Sequence, residues 1–278
     1  MMIISSEYFN PKDTFECGQS FRWKPIDGLY VGVVRRSVLI LEPRPDGYEV
    51  KVLGEPLSDD EIGAYFDEGS DYKSIIEYLS MKDSWLEKAT AFGKGIRLLN
   101  QDPFEMLITF IISSNNNIPK IKMAVEALSE QFGDYLMTYK GVKMFAFPTL
   151  EQLKACTVTD LGVKGMGYRA RYIANAVRQI DENHLDLNLP FELEYEDSKM
   201  WLKQLYGIGD KVADCVLLFS YRKKNAFPID TWVKKMLREL YGVEDRQKAY
   251  EAFVDDYFDQ YGGYAQQYLF YYMRNHTS

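Results

Sequence analysis

The run "NQDPFEMLITFIISS" at residues 100–114 constrains this chain more than any other segment. An Asp-Pro pair is a natural helix start, and the residues after it are apolar on almost every side. A helix with one apolar stripe can lie on a surface, but one that is apolar all round needs protein on every side. The rest of the chain must therefore supply a wrapping. Downstream, "NIPKIKMAVEALSEQFG", "TLEQLKAC", "GYRARYIANAVRQI", "DSKMWLKQLYG", "DKVADCVLLFSY", "DTWVKKMLREL" and "AYEAFVDDYFDQY" read as short helices joined by turns. Upstream, the first 55 residues read differently. "LYVGVVRRSVLILEP" and "RPDGYEVKVLG" are rich in β-branched residues, partly alternating, and broken by turn signals, which predicts an antiparallel sheet. Between them, "SDDEIGAYFDE", "DYKSIIEYLS" and "DSWLEKATAFGKGIRLL" predict helices, with Ser58 and Asp83 as caps. The fold class is α+β: an N-terminal antiparallel sheet with flanking helices over 1–97, then a mostly helical body over 98–278.

Composition narrows the chemistry. Cys17, Cys156 and Cys215 are too few and too scattered for a disulfide framework or a cluster-binding loop, and only His184 and His276 are available for a histidine metal site. No apolar stretch approaches membrane-spanning length, and the first residues lack a cationic segment followed by an apolar run. A net charge of −8 argues weakly against a polyanionic partner, but the charge is segregated. Residues 55–71 hold seven acids and no lysine or arginine, whereas residues 161–180 hold Lys164, Arg169, Arg171 and Arg178 and no acid. Local field, rather than net charge, steers a ligand.

Two glycine pairs stand out, in "LGVKGMGYRAR" and "LYGIGDKVADC". Glycines let a hairpin turn expose backbone N–H groups, and with a helix start behind them those groups can hold a phosphate without reading sequence. A tight interhelical turn is the plainer explanation. In the second pair Lys211 follows Asp210, the expected cap, at the positive end of a helix. The dipole and any burial both disfavour a charged amine there, which suits a nucleophile; a solvated lysine is the plainer reading. Cys215, one turn on, shares its face. Asp214 acts in the opposite sense if it points the same way. Asp230, in "PIDTW", reads first as a helix cap and second as a carboxylate beside Lys211. "SSNNNI" sets three amides at the end of the apolar helix, and "YAQQYLF" sets Gln266 one turn from Phe270.

Together these segments resemble the Ogg-type 8-oxoguanine DNA glycosylase/lyases of the helix-hairpin-helix superfamily. "CGQSFRW", "SSNNNI", "GYRARY", "LYGIGDKVADC" with "PID", and "YAQQYLF" occur in the expected order along essentially the whole chain. The resemblance implies a twisted TBP-like N-terminal sheet and a helical body that binds duplex DNA containing oxidised guanine in a cleft. It implies that Lys211 attacks the damaged nucleotide's sugar through a Schiff base, with Asp230 stabilising the developing positive charge. Phe270 and Cys215 would sandwich the flipped base, Gln266 would read its Watson–Crick edge, and the Gly18 carbonyl would accept the ring N–H that guanine lacks. Asn115 would fill the vacated space, Tyr168 would wedge the stack, and Arg169 would bond the orphaned cytosine. Gly207 and Gly209 would meet the DNA backbone. Two positions depart from the animal and yeast pattern: Lys120 replaces a second cytosine-bonding arginine and Trp232 replaces a histidine near the backbone, so a weaker preference for opposite cytosine is expected. No cofactor is expected beyond a monovalent or divalent cation at the hairpin carbonyls. A monomer is the simplest expectation, and the compact chain without targeting extensions fits the cytoplasm or nucleoid of a prokaryote. The rivals are a water-using alkylated-base glycosylase of the same superfamily, against which Lys211 counts, and a non-enzymatic DNA-gripping module.

Overall fold

A computed structural model describes residues 2–276. Five strands, β1 (Met2–Ser5), β2 (Trp23–Ile26), β3 (Leu29–Val34), β4 (Ser37–Arg44) and β5 (Gly47–Gly54), form one antiparallel sheet of order β1-β5-β4-β3-β2. Helix α1 (Pro11–Glu16) interrupts the strands, and α2 (Asp59–Tyr65), α3 (Tyr72–Ser80) and α4 (Ser84–Phe92) follow them. Ser58 caps α2 in a full capping box with Glu61, and Asp83 caps α4, both as the sequence predicts.

The body begins with the apolar helix α5 (Pro103–Ser113), capped by Asp102, in which every residue from Phe104 to Ser113 is buried. Around it lie α6 (Ile118–Phe132), α7 (Leu150–Leu153), α8 (Arg169–Glu182), α9 (Leu189–Glu192), α10 (Tyr195–Lys203), α11 (Asp210–Phe219), α12 (Thr231–Tyr241), α13 (Gln247–Phe258) and α14 (Gly262–His276). The wrapping that α5 demanded is real: α6, α8 and α11 all pack on it.

One element escapes the sequence reading. Residues 135–145 form a hairpin, β6 (Tyr135–Tyr139) and β7 (Val142–Phe145), which belongs to the body but reaches back to the sheet. Its Met144 joins Val31, Val33, Val38 and Ile40 on one face of the sheet, while Leu39, Leu41 and Val34 on the other face pack with Phe9, Phe15 and Phe66. Coverage on both faces explains why "VLIL" at 38–41 is continuously apolar rather than alternating. Arg22 fastens the same junction, donating to the Ser129 hydroxyl and the Phe145 carbonyl.

Candidate active site

The hairpin that carries Lys211 runs from Gln204 to Gly209 between α10 and α11. Leu205 and Ile208 anchor it in the core. Gly207 sits at φ +86, where an added Cβ would lie 3.0 Å from Tyr172, so the turn requires glycine. Gly209, not Asp210, is the N-cap of α11, which corrects the sequence assignment. Asp210 is instead the first helical residue and pairs with Lys203 at 2.6 Å. A cap without a side chain leaves the first-turn N–H groups of α11 without a side-chain acceptor, and nothing lies within 4 Å of a Cβ built on Gly209. That is the geometry a phosphate oxygen can enter.

Lys211 extends from the first turn of α11 toward α5. Its Nζ donates to Ser113 Oγ at 3.0 Å and lies 5.4 Å from the centre of the Phe110 ring. Asp214, which would oppose it if it faced the same way, is turned toward α10. There it accepts from the Tyr195 hydroxyl at 2.7 Å and pairs with Lys199 at 3.0 Å. Burial pushes its carboxyl up to about 6 against the pull of Lys199. Asp230 is the cap of α12, accepting from the Val233 N–H at 2.8 Å. Its two readings coexist: capping fixes the carboxylate while the residue lines the same cavity as Lys211.

That cavity, of about 570 Å³, brings together Lys211, Asp230, Trp232, Gly18 and Phe270. Gly18 is delivered by a loop that Gln19 ties down: the Gln19 amide donates to the Arg97 carbonyl at 2.7 Å and accepts from the Leu99 N–H at 2.9 Å. Beside it the Cys17 thiol, pushed up to about 11 by burial, accepts from Gln267 of α14. Loop and helix are thus pinned so that Gly18 meets Phe270, whose ring carbon would lie 3.6 Å from a Cβ at that position. Gln266 and Cys215 are not among the lining residues; they are buried behind the wall. Gln266 Oε1 has no hydrogen-bond partner, an expensive state for a buried amide oxygen. Burial pushes the Cys215 thiol up to about 12, with the Lys211 charge acting against it, so the sulfur is an inert apolar surface.

A second opening, a groove of about 850 Å³, continues from Lys211 and Asp230 past Gly207, Gly209 and Trp232 to Asn115 and Lys120. The three asparagines divide their work. Asn116 donates to the Ile112 carbonyl at the end of α5, Asn117 caps α6 by accepting from the Lys120 N–H, and Asn115 is exposed at φ +48. Tyr168 stands 52% exposed, its hydroxyl donating to the Ser114 carbonyl at 3.3 Å. Arg169 is the exception. It is 8% exposed, and its guanidinium donates to the carbonyls of Ser114 (2.8 Å), Asn115 (2.7 Å) and Met166 (3.3 Å). It clamps the asparagine loop rather than projecting into the groove.

Sequence reasoning missed Ser113, Phe110 and Arg274. Arg274 lines the cavity and donates to the Glu16 carbonyl. Its guanidinium carbon lies 5.7 Å from the Phe270 ring centre, and Nη1 is buried without a partner. Extending the Gln266–Phe270 stripe by one more turn would have found it. Ser113 and Phe110 gave no signal, because a helix that reads as uniformly core conceals which residue ends beside a neighbour's side chain.

Comparison with known proteins places these features in a family. Residues 1–107 match the model of the 8-oxoguanine DNA glycosylase N-terminal domain, and residues 108–255 match the HhH-GPD superfamily of base excision DNA repair proteins. N-glycosylase/DNA lyase OGG1 of Arabidopsis thaliana is 32% identical over 277 residues, covering 92% of this chain and 75% of that protein. The Clostridium acetobutylicum 8-oxoguanine glycosylase/lyase, solved with double-stranded DNA containing cytosine opposite 8-oxoG, superposes with a TM-score of 0.91. It is 37% identical, covering 100% of this chain and 99% of that one. A 3-methyladenine DNA glycosylase from Archaeoglobus fulgidus shares the fold with a TM-score of 0.79 at 18% identity. From the pinned Gly18 loop to the hairpin lysine, this chain belongs to the 8-oxoguanine DNA glycosylase branch of the HhH-GPD base excision repair superfamily.

Proposed function

We propose that the protein excises 8-oxoguanine from duplex DNA through a covalent bond to Lys211 and then cleaves the strand. The observation that carries this reading is the single cavity shared by Lys211, Asp230, Gly18 and Phe270. The names of the similar proteins support the same activity.

A base inside a duplex must leave the stack to be reached. Tyr168 wedges the stack, Asn115 fills the space, and the N–H groups of α11 behind Gly207 and Gly209 hold the backbone, with Trp232 on the groove wall. The extruded base lies on Phe270 and, after a small opening of the wall, against Cys215. The unpartnered Gln266 Oε1 then gains a donor from the Watson–Crick edge, and the Gly18 carbonyl accepts the ring N–H specific to the lesion. The Lys211 lone pair forms a bond to the anomeric carbon as the glycosidic bond breaks, its electron pair leaving with the base. The Asp230 carboxylate offsets the positive charge on the sugar. Ring opening gives the Schiff base, and loss of a proton from the adjacent carbon expels the 3′ phosphate.

Opposite-base preference is relaxed in this reading. Arg169 has each of its three nitrogens engaged by the protein, and Lys120 offers an ammonium without a planar two-donor fork. Single-turnover excision of 8-oxoguanine opposite each of the four bases tests both parts. The expected result is excision in every context, with cytosine favoured over adenine by less than about tenfold, on the order of one lost bidentate contact. Turnover on alkylated bases but not on 8-oxoguanine would move the assignment to the water-using branch.

A further inference from the structure

The apolar helix α5 ends in a hydroxyl, and that hydroxyl meets the nucleophile. Ser113 is 9% exposed and is the last residue of a helix that is otherwise built to be core. Its Oγ donates to the Phe110 carbonyl one turn back at 2.8 Å, so its only proton is already engaged. What remains on that oxygen is lone pair, and Lys211 Nζ lies against it at 3.0 Å. Ser113 can therefore accept from Lys211 but cannot donate to it.

That one-way contact has a chemical consequence. A neutral amine carries two N–H bonds and one lone pair in tetrahedral arrangement. A donor beside it would occupy the lone pair and suppress nucleophilicity, whereas an acceptor takes an N–H and leaves the lone pair directed elsewhere. On the α5 side the amine is bounded by Ser113 and the Phe110 ring. Its open side includes the cavity lined by Asp230 and Phe270. As nitrogen bonds to carbon it becomes cationic, so the N–H donated to Ser113 becomes charge-assisted and strengthens in the transition state relative to the ground state. The same oxygen thus aims the lone pair and stabilises the charge that bond formation creates.

We propose that Ser113 is a positioning residue for Lys211, holding one amine N–H through an oxygen that can only accept, so that the lone pair faces the flipped nucleotide. This rests on the reading of Lys211 as the nucleophile.

The test is single-turnover borohydride trapping on an 8-oxoguanine duplex, at a pH where the wild-type rate no longer rises, with wild type, Ser113→Ala and Ser113→Thr. Dissociation constants for an uncleavable duplex and thermal midpoints are measured alongside. Threonine keeps a hydroxyl that can bond back to the same helical carbonyl. Ser113→Ala should trap about tenfold more slowly, the scale of one hydrogen bond to a developing charge, with duplex affinity within twofold of wild type. Ser113→Thr should recover most of the rate. Trapping by Ser113→Ala at the wild-type rate overturns the proposal, as does a loss of duplex affinity in the same proportion as rate, or a folded Ser113→Thr as slow as Ser113→Ala. If wild type itself forms no adduct, it is the assignment of Lys211 that falls.

Discussion

The two glycine pairs are spelled alike, "GMGYR" at 165–169 and "GIGDK" at 207–211, each with a cation two residues after its second glycine. Their first glycines are alike, Gly165 and Gly207 both at φ +86 and both crowded, and the two turns diverge in what lies beyond. Gly165, at φ +86, is pressed on α6, where an added Cβ would lie 3.1 Å from Met123 and 3.2 Å from the Lys120 carbonyl. Its cation, Arg169, is buried with three carbonyls around it. The second pair ends in open space at Gly209, and its cation, Lys211, donates to Ser113 and lines three openings. A cation with every guanidinium nitrogen bonded to protein is a clamp; an amine that faces open space retains the capacity to react. Spacing cannot separate these roles, because the difference lies in what packs behind each turn.

The largest effect on folding should come from the clamp. Arg169→Gln removes the donors of three carbonyl contacts to a charged group, and stability should fall by about 3 kcal/mol, with looser duplex binding from a disordered asparagine loop. Lys211→Gln should unfold at the wild-type midpoint in the same calorimetric scan. Equal losses in the two variants would erase the distinction between a clamping arginine and a reactive lysine. A smaller contrast is expected between the glycines themselves. Gly165→Ala combines a left-handed backbone with a crowded Cβ and should cost about 2 kcal/mol. Gly209→Ala, at φ −100 with open space around it, should cost under about 1 kcal/mol, chiefly as a poorer cap. Its methyl would intrude where a phosphate approaches, so duplex affinity should weaken several-fold. Filter binding and denaturant melts on the two variants give the comparison directly, and a Gly209 variant that is less stable than the Gly165 one would break it.

Much of this was legible in the chain. The apolar α5 announced a wrapped body, and the caps at Ser58, Asp83 and Asp230 announced helix starts, because both signals are local. The β6–β7 hairpin was not legible: its apolar residues serve a sheet a hundred positions earlier, so no window of sequence shows what they cover. The same holds at the site. Lys211, Asp230, Gly18 and Phe270 share a cavity that their ordered motifs foretold through resemblance. The cap at Gly209, the outward turn of Asp214 and the engaged donors of Arg169 depend on which side chain reaches which neighbour. Ser113 is the sharpest case, a residue with no pattern of its own whose importance comes entirely from a lysine ninety-eight positions away.

In the proposed reaction the amine of Lys211 bonds to the sugar of the damaged nucleotide. Borohydride trapping on an end-labelled duplex with one 8-oxoguanine opposite cytosine, followed by peptide mapping of the adduct, tests it most directly. An adduct located on Lys211 is expected from wild type and none from Lys211→Gln, which should still bind the duplex. An adduct on another lysine, or excision by wild type with no adduct at all, would contradict it.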